Sequence, residues 1–204
     1  MQSHCRLLQG DLSAAAALAQ DSLRLSEEIE SPLSIALSAT YLASALSRQR
    51  RFGEALSLAE RAAECGMRSC RTNVSEALAA IAVAQFGHGN HAAAAEAAER
   101  AVLHADSVDL EHQRVVARLA AARVAAADGG AAVAAAAQLD EAEQIVELSG
   151  IRSLLPEIWE IRAMPGLSGD RTRLECLQRA RALHSEFASP LQVARIDELL
   201  AEFG

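Results

Sequence analysis

The chain has 204 residues and a formal net charge of −8. Its 19 basic residues are all arginine and are scattered along the sequence, so it lacks the basic stripe of a nucleic-acid-binding surface. Hydrophobic residues make up 51% of the sequence, yet no apolar run approaches the ~18–20 residues that cross a bilayer, and the N-terminus shows no signal segment. We therefore expect a cytoplasmic protein that contacts neither nucleic acid nor membranes.

Helix-start and helix-stop signals divide the chain into helices joined by short turns. A first, incomplete helix ends at the Gly-Asp turn at 10–11, and Ser31 before Pro32 is typical of an N-cap followed by a first-turn proline. Gly66 is expected to end its helix, and the Ser-Pro pair at 189–190 to open the last one. The other helices are predicted over residues 33–48, 52–64, 74–86, 91–104, 108–127, 131–148, 153–163 and 171–187.

An alanine-stepped helix follows a tight polar or glycine turn in four segments of the chain. The first alanines of these segments recur every 39 to 41 residues. Because side chains four apart lie on one helix face, small residues there leave a groove for a neighbouring helix. The four sets are Ala15, Ala19 and Ser22; Ala55, Ala59 and Ala62; Ala94, Ala98 and Ala101; and, after Gly129 and Gly130, Ala135, Leu139 and Ala142.

A two-helix unit of this kind cannot bury its apolar face alone, so it has to stack on the next unit. The sequence therefore predicts an all-α fold, a right-handed α-α superhelix (a solenoid) of about five helical hairpins plus a C-terminal capping helix. Because the first helix is incomplete, we expect the chain to be the C-terminal piece of a longer protein. We expect one domain, 1–204, with repeats at about 1–30, 31–69, 70–107, 108–150 and 151–188 and the cap at 189–204.

The pattern resembles the tetratricopeptide repeat, in which a small residue near the end of the first helix precedes a turn, an aromatic residue and alanines spaced four and three apart. The tryptophan and tyrosine of that family's first helix and its closing proline are absent here, and the period is ~40 residues instead of 34. The matching positions are Leu42, Ala43, Leu46, Phe52, Ala55, Ala59 and Ala62; Leu78, Ile81, Ala82, Gly89, Ala94, Ala98 and Ala101; and Leu119, Ala122, Gly130, Ala135, Leu139 and Ala142.

In these departures the chain is similar to the long-period repeats of large bacterial signalling regulators, and segment 180–191 with Arg195 and Ile196 is similar to their last repeat. In such proteins a helical array follows an ATPase module, often with a nucleotide-cyclase or DNA-binding domain elsewhere. The resemblance implies a non-catalytic scaffold or regulatory arm that binds a protein or peptide. The alternative is a sensor whose concave groove binds a small molecule or short peptide.

Residues with chemical potential do not form a recognisable catalytic or metal site. His88 and His91 flank a turn without a third ligand nearby, so we expect exposed turn histidines and no metal. Cys65 and Cys70 lack the CxxC spacing of redox sites, and we expect inert thiols. A nucleophile elbow and a phosphate-binding loop are absent. We therefore expect no enzyme activity and no cofactor.

The concave face is the remaining candidate site, because the first helices of neighbouring hairpins would line it. There Arg48 is suited to pair with a partner's carboxylate and Phe86 to act as an apolar anchor; the alternative is that these are ordinary contacts between repeats. An enclosed pocket would favour the sensor and an open groove the scaffold. The predicted binding residues are Thr40, Ser44, Ser47, Arg48, Glu76, Val83, Phe86 and Val124.

Overall fold

A computed structural model describes residues 2–69, 71–126 and 131–203 of the chain. These ranges contain α-helices, three one-turn 3-10 helices and no β-strand, which confirms the predicted all-α class. None of their helices combines the length and the apolar character that a bilayer crossing requires. The α-helices are α1 Gln2–Gln9, α2 Leu12–Glu28, α3 Pro32–Arg48, α4 Phe52–Ser69, α5 Val74–Gly87, α6 His91–Val108, α7 Glu111–Ala126, α8 Ala132–Ser149, α9 Leu155–Arg162, α10 Asp170–Glu186 and α11 Pro190–Leu200.

The helices stack in chain order as hairpins. The pairs are α1 with α2, α3 with α4, α5 with α6, α7 with α8 and α9 with α10, and α11 packs on α10 as the cap. From α1 to α9, each odd-numbered helix also contacts the next odd-numbered helix. Ordered stacking of two-helix units is the arrangement of a solenoid, so the predicted solenoid of five hairpins and a cap is confirmed.

The alanine-stepped helices are the even-numbered ones from α2 to α8. Every member of the four predicted sets is buried except Ser22, which is exposed. In α4 the three stepped alanines share one buried cluster with Leu42 and Leu46 of α3. Small side chains on this face therefore let the second helix of each hairpin approach the first closely. The predicted turn of Gly129 and Gly130 before the fourth set lies outside the described residues.

Capping residues begin α2 and α3 where the sequence predicts. Gly10 has φ +85°, a left-handed conformation that glycine adopts without steric cost. Asp11 Oδ1 accepts a hydrogen bond from the backbone N–H of Ala14 at 3.1 Å. At α3, Ser31 Oγ accepts a hydrogen bond from the backbone N–H of Ser34 at 3.4 Å, and a proline is the first helical residue. These contacts satisfy N–H groups that have no partner within the helix.

Two predicted helix boundaries are wrong. Helix α4 does not stop at Gly66 but continues to Ser69. Gly66 is a packing position, since a Cβ added there would lie 3.0 Å from Cγ2 of Val74. Helix α6 continues to Val108, where the next helix was expected to begin, and Asp109 then turns the chain with φ +50°.

The two ends of the solenoid meet. Helix α1 contacts α11, and Gly10 packs so closely on α11 that an added Cβ would lie 3.1 Å from Cδ of Gln192. Arg48 at the end of α3 reaches α9, where its Nη2 lies 3.2 Å from Oε2 of Glu157. The five hairpins therefore curve round until the first touches the cap, and the inner wall lines a partly open cavity instead of a wide open groove.

Candidate binding cavity

The inner wall lines a partly open cavity of about 120 Å³ to which every odd-numbered helix from α1 to α9 contributes. This volume is well below the ~300 Å³ of the smallest drug-sized pockets, so an occupant would be small. Its apolar lining comprises Leu7, Leu8, Ala79, Ala80, Val83, Val116, Leu119, Ala120 and Leu154. Its polar lining comprises His4, Thr40, Tyr41, Ser44, Ser47, Arg48, Glu76, His112, Arg123 and Glu157.

Helical periodicity explains how the wall is built. On α7 the lining residues His112, Val116, Leu119 and Arg123 follow one another at steps of three or four, which is the spacing of a single helix face. Helix α3 shows the same spacing over residues 40–48. Each helix therefore presents one stripe to the cavity and uses its other faces to pack against its neighbours.

Glu76 lies at one end of the cavity among aromatic rings. It is 9% exposed, and its Oε1 is 3.7 Å from Nε2 of His112, beyond hydrogen-bond distance. The ring centroid of His4 lies 5.3 Å from that of Tyr41 and 5.9 Å from that of His112. Burial raises the pKa of Glu76 against the opposing effect of His112, and burial lowers the pKa of His4. This end therefore holds a poorly hydrated carboxyl group without a hydrogen-bond partner among the described residues.

Glu157 occupies the other end of the cavity, between two arginines. Arg123 Nη2 donates a hydrogen bond to its Oε1 at 2.7 Å, and Arg48 Nη2 donates one to its Oε2 at 3.2 Å. These three side chains, here named the Glu157 cluster, join α3, α7 and α9 and are 25–30% exposed. Because two guanidinium groups face one carboxylate, the cluster carries an excess of one positive charge in a chain of net charge −8.

Ser47 adds an unsatisfied hydroxyl to the wall, next to Arg48 in the sequence. It is 7% exposed, and its Oγ has no hydrogen-bond partner among the described residues. By contrast, the hydroxyls of Thr40 and Ser44 donate to backbone carbonyls one turn earlier, at 2.8 and 3.0 Å. A buried hydroxyl without a partner costs free energy.

A second cavity of about 330 Å³ lies between the turn after α1 and the last three helices, and the Glu157 cluster lines it as well. Its far side carries Glu160, whose Oε1 lies 2.7 Å from Nε2 of His184 and whose Oε2 lies 2.6 Å from Nη2 of Arg195. The Glu157 cluster therefore forms the boundary between the two cavities.

The structure brings six of the eight predicted binding residues together on the cavity wall. Phe86 and Val124 lie elsewhere, in a cluster between α5, α6 and α7, where the Phe86 ring is 5.5 Å from the ring of His91. These two fit the alternative of contacts between repeats. Arg48, expected to pair with a partner's carboxylate, pairs with Glu157 of the same chain. The six lining residues are Thr40, Ser44, Ser47, Arg48, Glu76 and Val83, and their role in binding stays a prediction.

Sequence reasoning missed five polar residues of the wall. His112 and Arg123 carried a usable signal, because continuing the stripe of α3 and α5 onto α7 would have included them. His4 and Glu157 gave no local signal, since they come from the first and last hairpins and approach the others only when the solenoid closes. Tyr41 was overlooked beside the predicted Thr40. The five are His4, Tyr41, His112, Arg123 and Glu157.

The other candidate groups lie outside the cavity. His88 and His91 are exposed at the turn between α5 and α6. Cys65 is a half-buried free thiol in α4, and Cys70 lies outside the described residues. In the part of the chain that the structure describes, no group of three or more histidine, cysteine, aspartate or glutamate side chains is arranged to hold a metal ion.

No protein-family model matches the sequence, and no curated protein matches it. Two solved structures are similar to it over most of its length. They are a Podosopora anserina protein assigned as a kinesin light chain with nearly identical TPR-like repeats, and a single-residue variant of that protein. Each is 18% identical with a TM-score of 0.49, over 97% of this chain and 90% of the other.

Proposed function

We propose that this chain is a non-catalytic binding module whose inner cavity holds a small ligand. The observation that carries the proposal is one cavity walled by all five hairpins, with the buried carboxyl group of Glu76 beyond hydrogen-bond distance of His112, its one cationic partner among the described residues. Pockets that bind small molecules are mostly apolar and carry a few convergent polar groups. Most of the accessible area of the cavity wall is apolar, which fits that description.

The closure of the solenoid favours a small ligand over an extended peptide on the inner wall. A peptide groove has to be open along its length, but here α1 contacts α11, and Arg48 is bonded to Glu157 across the wall. Side chains of α1 also occupy part of the wall, since Leu7 and Leu8 line the cavity. Of the two functions that the sequence allows, the sensor is therefore the better supported.

A ligand in this cavity would contact helices from every hairpin. Because each hairpin of a solenoid touches mainly its neighbours, small changes at each interface add up along the array. Ligand binding would therefore favour one curvature of the solenoid over others, to the extent that the ligand binds that curvature more tightly. This is how a non-catalytic array would report the presence of a ligand to a partner.

A second function, protein binding on the outer surface, is favoured by exposed apolar side chains near one end of the first two hairpins. They lie at the C-terminal ends of α2 and α4 and at the start of α3, and an exposed apolar patch is typical of an interaction site. As the resemblance of the repeats implies, we place the module in a bacterial signalling protein, where such a patch would contact another domain. The side chains are Leu25, Ile29, Leu33 and Met67.

Thermal unfolding with a panel of small metabolites tests the proposed function. A ligand at one hundred times its Kd adds about 2.7 kcal/mol to the free energy of unfolding and raises Tm. We expect this rise to disappear in Val83→Phe, which fills the cavity, and to persist in Val133→Phe, at an α8 position that is 85% exposed. A ligand whose effect survives Val83→Phe binds elsewhere, and that result would contradict the proposal.

A further inference from the structure

The inner cavity has the Glu76 carboxyl group at one end and the net positive Glu157 cluster at the other. One end, here named the acidic end, is formed by Tyr41, Glu76 and His112. The His4 ring contacts the rings of Tyr41 and His112 there, and the Glu76 carboxyl group lies near His112. The Glu157 cluster marks the basic end. On α3 Arg48 follows Tyr41 seven positions later, which is about 10 Å of helix at 1.5 Å per residue. The two ends are therefore distinct sites that one small elongated molecule can touch.

The polar residues of the acidic end leave its carboxyl group without a hydrogen bond in the described part of the chain. Glu76 accepts no hydrogen bond from any described residue, and the only described cationic partner, His112, is 3.7 Å away and charged only when protonated. A carboxyl group buried in this way gains most from a ligand that supplies both positive charge and N–H donors. An ammonium group supplies both.

The basic end has donors to spare. Arg48 and Arg123 each use only Nη2 on Glu157, although a guanidinium group has five N–H donors. A second carboxylate at this end would balance the excess positive charge of the cluster and accept these free donors.

The wall between the two ends is largely aliphatic, and the hydroxyl of Ser44 there already donates to the carbonyl of Thr40. Ala79, Ala80, Val116 and Leu119 line the cavity and offer no hydrogen-bonding side chain. A ligand that spans the cavity therefore needs an apolar middle, since a polar group placed there would lose hydrogen bonds to water without replacement.

From these observations, and resting on the proposed function of the cavity, we propose that the ligand is a small zwitterion with an aliphatic spacer. Its ammonium group binds at Glu76 and its carboxylate at Arg48 and Arg123. The ω-amino acids have this chemistry, with an ammonium group and a carboxylate at opposite ends of a chain of CH₂ groups. The spacer length that fits best is set by the distance between the two ends of the cavity.

Isothermal titration calorimetry with a series of ω-amino acids tests this assignment. The probes are glycine, β-alanine, 4-aminobutanoate, 5-aminopentanoate and 6-aminohexanoate, each titrated into the full chain. We expect one spacer length to bind best, and we expect the amine and the carboxylate of the same length, each lacking one charged group, to bind at least tenfold more weakly. Equal binding of either single-charge analogue would overturn the assignment, as would the absence of binding across the series.

Paired variants locate each end of the ligand. Glu76→Gln should weaken the best probe at least tenfold but leave the carboxylate-only analogue unchanged, and Arg123→Met should leave the amine-only analogue unchanged. The controls Glu96→Gln and Arg100→Met alter an exposed pair on α6 and should change nothing. If Arg123→Met does not fold, Arg123→Lys keeps the charge and should retain part of the binding. Unchanged binding in folded Glu76→Gln would overturn the assignment.

The same titrations separate this inference from the function beneath it. If the series fails but another metabolite gives a rise in Tm that Val83→Phe abolishes, the cavity is a ligand site and only the zwitterion assignment is wrong. If a zwitterion binds but Val83→Phe leaves its affinity unchanged, the ligand lies outside the cavity, and both the zwitterion assignment and the proposed function are wrong.

Discussion

His184 Nε2 and Glu160 Oε1 lie 2.7 Å apart and join α10 to α9 within the last hairpin. Because a carboxylate only accepts hydrogen bonds, the histidine nitrogen carries the hydrogen. Arg195 of α11 donates to the other oxygen at 2.6 Å. Burial by itself would raise the pKa of Glu160, but the hydrogen bond from His184 and the charge of Arg195 outweigh it and lower the pKa to about 2. One carboxylate thus connects the last hairpin to the cap.

This connection predicts a loss of stability in acid. A carboxyl group whose pKa falls from 4.5 to about 2 on folding stabilises the fold above pH 4.5, and that stabilisation disappears as the pH falls towards 2. Its full value is about 3 kcal/mol. Urea unfolding of the wild type and Glu160→Gln should therefore show a large difference at pH 7 and a smaller one at pH 3. A difference that is constant with pH would contradict this prediction, and Glu99→Gln, at an exposed site, is the control.

Arg118 should stabilise the middle of the array. Its side chain is 6% exposed and donates to Asp106 of α6 at 2.9 and 3.1 Å and to Glu141 of α8 at 2.9 Å. Arg118→Met keeps the aliphatic stem but leaves two carboxylates without their shared cation. Both carboxylates are partly exposed, so we expect a loss of about 1–3 kcal/mol.

The control for Arg118→Met is Arg24→Met, which removes the arginine of an exposed i,i+4 ion pair with Glu28. Exposed pairs of this kind contribute about 0–1 kcal/mol. Chemical denaturation of both variants measures the two losses, and equal losses would show that the burial of Arg118 is unimportant.

Most of the fold could be predicted because its determinants are local. The cap of α3 by Ser31 and the burial of the stepped alanines follow from residues within one or two turns of each other. The error at Gly66 has the same origin: glycine usually ends a helix, but this one makes room for Val74, which lies eight residues further along the chain. Local patterns do not distinguish a glycine that ends a helix from one that allows close packing.

The closure of the solenoid could not be predicted in this way. The contact between Gly10 and Gln192 depends on the rotation that accumulates over five hairpins. A small error in the rotation of each hairpin would separate or overlap the ends. The predicted residues on α3 and α5, except Phe86, therefore line the cavity, but Glu157 and His4, which depend on closure, were missed.

Gly87 should be intolerant of a side chain. It ends α5, and an added Cβ would lie 2.2 Å from Cε1 of Phe52, the first residue of α4. Gly87→Ala therefore forces the Phe52 ring out of its position, and we expect a loss of about 1–3 kcal/mol. Thermal unfolding should show a smaller effect of the same substitution in the Phe52→Leu background, because the ring that clashes is gone.

Gly53 provides the opposite expectation on the neighbouring helix. It lies in the first turn of α4, and a Cβ added there meets no atom within 4 Å. Gly53→Ala should therefore stabilise the chain by about 0.4–1 kcal/mol, since alanine has less conformational freedom to lose on folding. A destabilised Gly53→Ala would contradict the account of both glycines.

The stacking of small side chains can be tested with neighbouring alanines on one helix. Ala94 of α6 is fully buried in a cluster with Ala82 and Val124 from α5 and α7, whereas Ala93 is exposed. Ala94→Leu places three additional carbon atoms between packed helices, and we expect a loss of about 1–3 kcal/mol. Ala93→Leu changes helix propensity by the same amount as Ala94→Leu, and it should change the free energy of unfolding by less than about 0.5 kcal/mol. Equal effects of the two substitutions would mean that close helix packing does not hold the hairpins together.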